Sequence, residues 1–134
     1  MGCAGNAAII TPTLDSLCRS GIHFQSAFVT LSVCSPSRAA MLTGRYGSAN
    51  GVVGEGLDRK LNAGEIMVAE YLKEAGYHTS MIGKWHLGDT PEALGFEESH
   101  YFTSHGPYYD RTVLEDGEEV IAEKPYAAVL CSHH

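Results

Sequence analysis

The amino-acid sequence predicts an α/β fold, in which helices pack against a sheet. Segments with helical spacing of apolar residues alternate with short strand-like segments, and glycines close the helical segments. The chain has 134 residues, of which 44% are apolar and 19% charged, so it can form a core. Only two or three convincing strands precede a final hairpin, too few for a sheet of ordinary size. We therefore expect part of a larger domain.

The first part of the chain predicts a helix followed by a strand. Thr11 and Pro12 are typical of a helix start, because threonine can cap the first turn and proline needs no N–H there. Gly21 is a typical helix end. Residues 22–30 then alternate apolar and polar side chains and end in β-branched residues, which predicts a strand.

A second helix is predicted at residues 36–43. Ser35 is expected to be its N-cap, Pro36 its first residue and Gly44 its stop. Residues 47–64 contain five glycines. That composition predicts a long surface connection after the helix.

The second half predicts a helix, a strand and a hairpin, in that order. Residues 64–77 show near-helical apolar spacing and end at Gly76, so they are the clearest helical segment. Residues 78–83 follow directly as a candidate strand. Residues 112–121 surround an Asp-Gly pair, which is typical of a tight hairpin turn.

Composition and charge exclude several classes of function. The formal net charge is −7, whereas a nucleic-acid or anionic-membrane surface needs clustered Lys and Arg. No apolar stretch approaches the roughly 20 residues of a membrane span, and the N-terminus lacks a signal-peptide pattern. The four cysteines form no C-x-x-C pair, which excludes a zinc ribbon or thioredoxin-type motif. We therefore predict no nucleic-acid and no membrane partner.

The stretch SVCSPSRAAMLTGRY, residues 32–46, places a nucleophile-capable side chain at a helix start. Cys34 comes just before the predicted helix, and Arg38 follows at a spacing that can bring its guanidinium back towards Cys34. A helix N-terminus adds unpaired N–H groups and partial positive charge. These features indicate an anion site for sulfate or phosphate. A buried cysteine beside a structural arginine is the alternative, and it is the more common case for an arbitrary C-x-P-x-R pattern.

A second stretch, IGKWHLG at residues 82–88, pairs a cation with an imidazole. Lys84 and His86 are two residues apart, so an extended backbone would place both on one face and Trp85 on the other. Such a pair suits a charged ester and its proton transfers. Alone, the pattern is weak, and an exposed lysine with a packed tryptophan is its usual explanation. Together with the first stretch, it indicates a catalytic site.

The two stretches resemble the two signatures of the type I sulfatases. SVCSPSRAAMLTGRY is similar to C-x-P-S-R-x-x-x-L-T-G-R, and GYHTSMIGKWHLG, residues 76–88, is similar to the second signature. The resemblance covers residues 5–100 densely. It implies that residues 1–134 are part of an N-terminal sulfatase catalytic domain. The implied fold is a partial alkaline-phosphatase-like sheet flanked by helices and incomplete at both ends.

For Cys34, the resemblance implies a chemical modification. In sulfatases, a formylglycine-generating enzyme oxidises this cysteine to Cα-formylglycine, whose hydrated form is a geminal diol. One hydroxyl attacks the sulfur of a sulfate ester (an aryl or carbohydrate sulfate) and displaces the alcohol. The other hydroxyl then loses its proton, and collapse to the aldehyde expels sulfate, an internal exit that serine lacks. The implied function is sulfuric ester hydrolysis. A thiol cannot follow this route, so a chain with unmodified Cys34 is expected to be inactive.

The resemblance also implies roles for the other candidate residues. Arg38 would hold the diol, Lys84 would bind the sulfate oxygens, and His86 would hydrogen-bond the diol and assist proton transfer. A calcium or magnesium ion (Ca2+ or Mg2+) would polarise the sulfate. Cys34, Arg38, Lys84 and His86 are thus the expected catalytic residues, and Cys34, as formylglycine, is the expected metal ligand.

Several residues of the family pattern have no counterpart in this sequence. An Asp-Asp pair is expected upstream of the first residues, and a second acidic pair, a histidine and a lysine are expected further on. The residues of this chain that could be mistaken for the missing ones are not expected to replace them. Asp15, Asp58 and Asp110 are expected to be solvated or capping residues, His105 comes too early in the sequence, and residues 131–134 are expected to be a frayed end. We therefore expect these 134 residues alone to show no useful sulfatase activity.

Other functions stay open at this point. A phosphonate or phosphate ester hydrolase of the same superfamily would use a similar anion site. A truncated, non-catalytic remnant would keep the motifs without the metal ligands. A cysteine hydrolase would need a base beside unmodified Cys34. Sulfatases are commonly periplasmic, secreted or lysosomal, but no signal peptide is present here, so we assign no compartment.

Overall fold

The computed structural model describes residues 1–103 and 110–122. The helices are α1 (Pro12–Ser20), α2 (Cys34–Thr43), α3 (Gly47–Asn50) and α4 (Val68–Glu74), with short 3-10 helices at Gly2–Ala4 and Glu92–Leu94; the strands are β1 (Ser80–Lys84), β2 (Glu98–Phe102), β3 (Arg111–Glu115) and β4 (Glu118–Ala122). Helices with one mixed sheet confirm the α/β prediction. None of the helices in these two ranges is long and apolar enough to cross a membrane.

The four strands form a single sheet in the order β1-β2-β3-β4. β1 and β2 run parallel, with Lys84 opposite Phe102, and β3 and β4 continue antiparallel. The β3–β4 turn lies at Asp116 and Gly117, whose φ angles are +48° and +87°, as a two-residue hairpin turn requires. The predicted hairpin is confirmed, and β1 confirms the predicted strand at 78–83 with slightly later bounds.

Residues 22–30 are irregular, so the strand predicted there is wrong. Ile22, Phe24 and Phe28 are 84%, 74% and 92% exposed. A strand must pair its backbone N–H and C=O groups with a neighbouring strand. The sheet in the described ranges consists of β1 to β4 and does not include this segment, so the alternating pattern alone does not produce a strand.

The sequence predicted a surface connection at residues 47–64, but part of this segment is helical and buried. Its first residues form α3, and Asn50 and Val52 are fully buried. The Asn50 amide donates to the Thr43 hydroxyl at 3.3 Å and to the Arg45 carbonyl at 3.1 Å. Its Oδ1 accepts the Val52 N–H at 2.9 Å. One buried amide therefore ties the glycine-rich segment to the end of α2.

Helix α4 confirms the helix predicted at 64–77, but it is shorter at both ends. Glu70 Oε2 accepts the backbone N–H of Met67 at 2.7 Å, which closes the first turn. At the other end, Gly76 has a φ of +85°, and the Tyr77 N–H bonds back to the last turn. The sequence predicted that a glycine with positive φ ends this helix. Gly76 has that conformation, two residues after the last helical residue, Glu74.

The core centres on Trp85, which is 2% exposed and follows β1. Its ring packs edge-on against Phe96 and Tyr101, with centroids 5.9 and 6.5 Å away. The other buried members of this cluster come from α2, the connection after it, the start of α4, the segment after β1, and β2: Ala39, Val52, Met67, Leu87 and Tyr101. Because α2 and the end of β1 share one core, the two sequence motifs meet.

Candidate active site

Cys34 is the first residue of α2, not the residue before the helix. Val33 is the N-cap, with extended φ/ψ of −129° and 145°, and its carbonyl accepts the Ser37 N–H at 3.0 Å. The predicted N-cap Ser35 and first residue Pro36 are therefore wrong, because helical hydrogen bonding starts two residues earlier. Both lie buried inside the first turn. The Cys34 thiol thus lies at the partially positive end of the helix.

Lys84 places a positive charge directly beside the thiol. It is the last residue of β1, and its Nζ donates to Cys34 Sγ at 3.3 Å, across 50 positions of sequence. The hydrogen-bond donor and acceptor come from different elements. The structure therefore brings together the two residues that the two motifs singled out.

Arg38 fixes the helix to the end of the strand. Its Nη1 donates to the backbone carbonyl of Lys84. Its Nε is buried and has no hydrogen-bond partner within residues 1–103 and 110–122. The expected contact of Arg38 with residue 34 is not among the hydrogen bonds of the described residues, so Arg38 here positions Lys84.

His86 reaches the site by a different backbone path from the one predicted. β1 ends at Lys84, and His86 has a φ of +59°, so the expected extended geometry is wrong at this residue. The turn nevertheless leaves His86 only 5% exposed. One of its ring nitrogens lies within 4.8 Å of both Cys34 Sγ and a Glu55 carboxylate oxygen. Trp85 lies in the core, as the alternation predicted.

Glu55 is a site residue that the sequence motifs did not reveal. Its Oε1 accepts the Cys34 backbone N–H at 3.3 Å. Hydrogen bonds from the Cys34 thiol and N–H hold the pKa of the Glu55 carboxyl below its usual range, and the charges of His86 and Lys84 lower this pKa further. The sequence marks it only by a glycine on each side, because it belongs to no periodic segment or motif.

The loop that contains Glu55 is held at its base by the second motif. The Gly88 N–H donates to the Arg59 carbonyl at 2.8 Å. A Cβ at Gly88 would lie 2.9 Å from that carbonyl oxygen, so only glycine permits this approach without a shift. Lys60 Nζ also pairs with Asp89 Oδ1 at 3.2 Å. The final glycine of the KWHLG stretch therefore helps to place Glu55.

The acidic residues set aside from the sequence lie outside this cluster. Asp15 Oδ1 accepts the Cys3 N–H at 2.7 Å, and this bond holds the pKa of the Asp15 carboxyl below its usual range. The Asp58 side chain is 74% exposed beside Arg59. Asp110 is an exposed residue with a φ of +50° just before β3. None of the three belongs to the ligand group around residue 34.

The donor set at residue 34 does not match a calcium or magnesium ion. These ions take roughly six to eight oxygen ligands. Cys34, Glu55 and His86 offer one sulfur, one oxygen and one nitrogen atom within 4.8 Å of one another, and they are the one such group of three or more in the described ranges. These residues do not by themselves form a cage for either ion. His105 and residues 131–134 lie outside the described residues.

The arrangement is chemically suited to binding an anion beside a nucleophile position. A helix N-terminus and the Lys84 ammonium provide positive charge around one nucleophile position. A buried imidazole and a carboxylate stand beside it for proton transfer. The residues that build it come from both sequence motifs and from the loop between them.

Comparison with known proteins assigns the family. The sequence profile of the Sulfatase family matches residues 1–133, so this chain belongs to the sulfatase family. It is 35% identical over 130 residues to N-acetylglucosamine-6-O-sulfatase of Bacteroides thetaiotaomicron, covering 95% of this chain and 22% of that relative. It is 45% identical over 96 residues to human arylsulfatase A, covering 69% and 19%. The chain spans about a fifth of the length of these relatives.

Solved structures agree with this assignment. A protein in complex with its substrate D-glucosamine-2-N,6-O-disulfate matches with a TM-score of 0.82 and 32% identity, over 96% of this chain and 26% of that one. The structure of Ps i-CgsB also matches with a TM-score of 0.82, at 29% identity, over 93% of this chain and 35% of that one. The fold and the family expected from the two motifs are both confirmed.

Proposed function

We propose that residues 1–134 form the nucleophile and anion-binding part of a sulfuric ester hydrolase, in the N-terminal part of its catalytic domain. The strongest support is the Lys84 ammonium 3.3 Å from Cys34 Sγ at the start of α2. Charge preorganised at a nucleophile position stabilises the charge that develops in the transition state. Membership of the sulfatase family supports sulfate as the anion.

Residue 34 acts, in this proposal, as Cα-formylglycine made from Cys34 by a formylglycine-generating enzyme. When hydrated, this group supplies an oxygen nucleophile and a second hydroxyl through which sulfate can leave. The γ position suits an oxygen, because it lies beside the Lys84 ammonium and near the His86 ring and the Glu55 carboxylate.

The neighbouring side chains take separate roles. Lys84 binds the sulfate oxygens, and His86 accepts or returns the proton of the γ hydroxyl. Arg38 holds the Lys84 backbone through its Nη1 bond, and its buried Nε, which has no partner in the described part of the chain, is a donor for an oxygen at residue 34. A Ca2+ or Mg2+ ion with residue 34 as one ligand belongs to the proposal through the family alone, since the described residues do not form its cage.

The proposed substrates are aryl or carbohydrate sulfate esters. One relative is an N-acetylglucosamine-6-O-sulfatase, and one matched structure contains a glucosamine disulfate. Another relative is an arylsulfatase. An N-acetylglucosamine 6-sulfate and a chromogenic aryl sulfate are therefore the first two substrates to assay.

The test measures two quantities, the conversion of Cys34 to formylglycine and the turnover of a sulfate ester. It uses the longest protein that the gene encodes, co-expressed with a formylglycine-generating enzyme. Mass spectrometry of the peptide that contains residue 34 measures conversion. Lys84→Ala should lower kcat/KM for the sulfate ester by about 100- to 1000-fold, as expected for loss of a transition-state charge. Lys73→Ala, a surface lysine of α4, is the matched control. Equal activity of the two variants, or turnover by protein that retains Cys34, would contradict the proposal.

Phosphonate or phosphate ester hydrolysis is the second candidate function. A lysine ammonium and a helix N-terminus bind tetrahedral sulfur and phosphorus oxyanions alike. The same converted protein is therefore assayed on a phosphonate diester. A higher kcat/KM on that substrate than on either sulfate would replace the sulfatase proposal, whereas full conversion without any turnover would favour a non-catalytic remnant.

A further inference from the structure

The unmodified site contains a donor set for a different metal. Cys34 Sγ, a Glu55 carboxylate oxygen and a His86 ring nitrogen all lie within 4.8 Å of one another. Thiolate, imidazole and carboxylate are the ligands of zinc in proteins, and three protein ligands are the usual number for an open site. Calcium and magnesium prefer oxygen alone. The chemistry of the three donors therefore points to a thiophilic divalent ion.

The three ligands are held in place by separate anchors. Cys34 is fixed as the first residue of α2, and His86 is 5% exposed in the turn after β1. Glu55 lies on the loop whose base bonds to Gly88. Ligand atoms around a tetrahedral zinc ion are about 3–4 Å apart, given bond lengths of about 2.0–2.3 Å, so adjustment by roughly an ångström closes the site.

Charge and hydrogen bonding also suit a bound zinc ion. The thiolate and the Glu55 carboxylate together balance its two positive charges. Lys84 Nζ, 3.3 Å from Sγ, can continue to donate an N–H to the metal-bound sulfur. Coordination replaces the thiol proton, which leaves to solvent, so no oxidant or reductant is required.

We propose that Cys34, Glu55 and His86 bind one Zn2+ ion while residue 34 is still cysteine, and that the bound ion shields the Cys34 thiol from electrophiles. Conversion of residue 34 to formylglycine removes the sulfur ligand and so weakens the site. The inference concerns the thiol form and needs no sulfatase activity. Its failure would therefore leave the proposed function untouched.

The first experiment measures whether Zn2+ protects the Cys34 thiol from alkylation. It uses the wild-type chain, purified from a host without a formylglycine-generating enzyme. Iodoacetamide alkylation of every cysteine is followed by mass spectrometry, with and without Zn2+. Zinc should slow alkylation of Cys34 on the order of tenfold or more, because the thiolate that attacks iodoacetamide is also the metal ligand and is occupied in the bound form, whereas Ca2+ should not. Protection confined to Cys3, Cys18 or Cys131 would overturn the proposal.

The second experiment uses Co2+ as a spectroscopic probe that zinc displaces. It requires a background with a single thiol, made by Cys3→Ser, Cys18→Ser and Cys131→Ser, with the two terminal histidines changed to alanine. One equivalent of Co2+ should give a thiolate-to-cobalt charge-transfer band. The far-ultraviolet circular dichroism of each variant confirms its fold before titration.

Two further substitutions in that background test the ligands. Cys34→Ser should abolish the band, and Glu55→Gln should weaken Co2+ affinity by about tenfold or more. Asp58→Asn is the matched control, because it removes a carboxylate from the same loop outside the ligand group. A band that survives Cys34→Ser, or equal affinities of the Glu55→Gln and Asp58→Asn variants, would overturn the three-ligand site.

Discussion

Cys3 is a free thiol whose surroundings oppose its ionisation. Its hydrogen bond with Cys18, its desolvation and the adjacent Asp15 carboxyl together raise the pKa of Cys3 from 9.0 to about 11, the Cys18 contact being the largest cause. At a given pH below 9, the reactive thiolate fraction should be about 100-fold lower than for an ordinary cysteine. We expect slow alkylation of Cys3 by iodoacetamide, measured by mass spectrometry against a short peptide of the same sequence.

Substitutions of Cys18 and Asp15 should change the alkylation rate of Cys3 in the order in which these residues raise its pKa. Cys18→Ala should accelerate alkylation of Cys3 more than Asp15→Asn does. Asp15→Asn retains an oxygen that can accept the Cys3 N–H, so the N-terminal turn stays bonded to α1. Alkylation of Cys3 at the rate of the free peptide in the wild-type chain would show that this environment does not form in solution.

At the same scale, the sequence predicts some site residues and misses one. Cys34, Lys84 and His86 belong to motifs in which residue type and spacing are both informative. Glu55 accepts the Cys34 N–H from a loop whose base, at Arg59, is bonded to Gly88. That contact depends on two backbone segments meeting, which no local pattern in the glycine-rich loop records.

Among the elements, α1 begins at Pro12 after Thr11 as predicted, whereas the first turn of α2 was predicted wrongly. For α2, Ser35 and Pro36 are favourable start residues, yet the first helical bond goes to the Val33 carbonyl. Tertiary packing, which buries Ser35 and Pro36 completely, outweighs a capping preference of about 1 kcal/mol. The αL glycines that end α2 and follow α4 were predicted correctly, because a positive φ restricts the residue type strongly.

Helix α4 offers a test of capping at this scale. Glu70 Oε2 accepts the Met67 N–H at 2.7 Å, an interaction that satisfies one of the unpaired donors of the first turn. Glu70→Ala should lower the free energy of unfolding by about 0.5–1 kcal/mol, measured by urea denaturation. Glu74→Ala in the last turn is the matched control and removes a carboxylate from the negative end of the helix. A larger loss for Glu74→Ala would contradict the capping role.

At the scale of the whole molecule, local sequence patterns predicted single helices and strands better than they predicted which strands pair with each other. The Asp-Gly hairpin and the strand before Lys84 follow from local chemistry, and both are present. Residues 22–30 have an equally good strand pattern but do not belong to the sheet in the described ranges. A strand exists only by pairing, so its prediction from one segment fails when the partner is not specified by that segment.

The sheet is also linked by a carboxylate between two histidines. Glu98 accepts hydrogen bonds from His78, Ser80 and His100, and these bonds, in that order, lower the pKa of Glu98 from 4.5 to about 2. His78 lies just before β1, and Ser80 is the first residue of β1. Glu98 and His100 lie in β2. The His100 Nδ1 atom is also 3.9 Å from a carboxylate oxygen of Glu115 in β3. The ionised Glu98 side chain therefore connects β1 with β2, and His100 extends the connection to β3.

This connection predicts how the whole domain responds to acid. Because the pKa of Glu98 is lower in the folded state than in the unfolded state, its ionisation stabilises the fold fully above about pH 4.5. The contribution is lost as the pH falls from 4.5 to about 2. The difference in unfolding free energy between wild type and Glu98→Gln, from urea denaturation at a series of pH values, should shrink steadily across that interval. Glu119→Gln on β4 controls for loss of one charge, and a Glu98 difference that stays constant across the interval would refute the link.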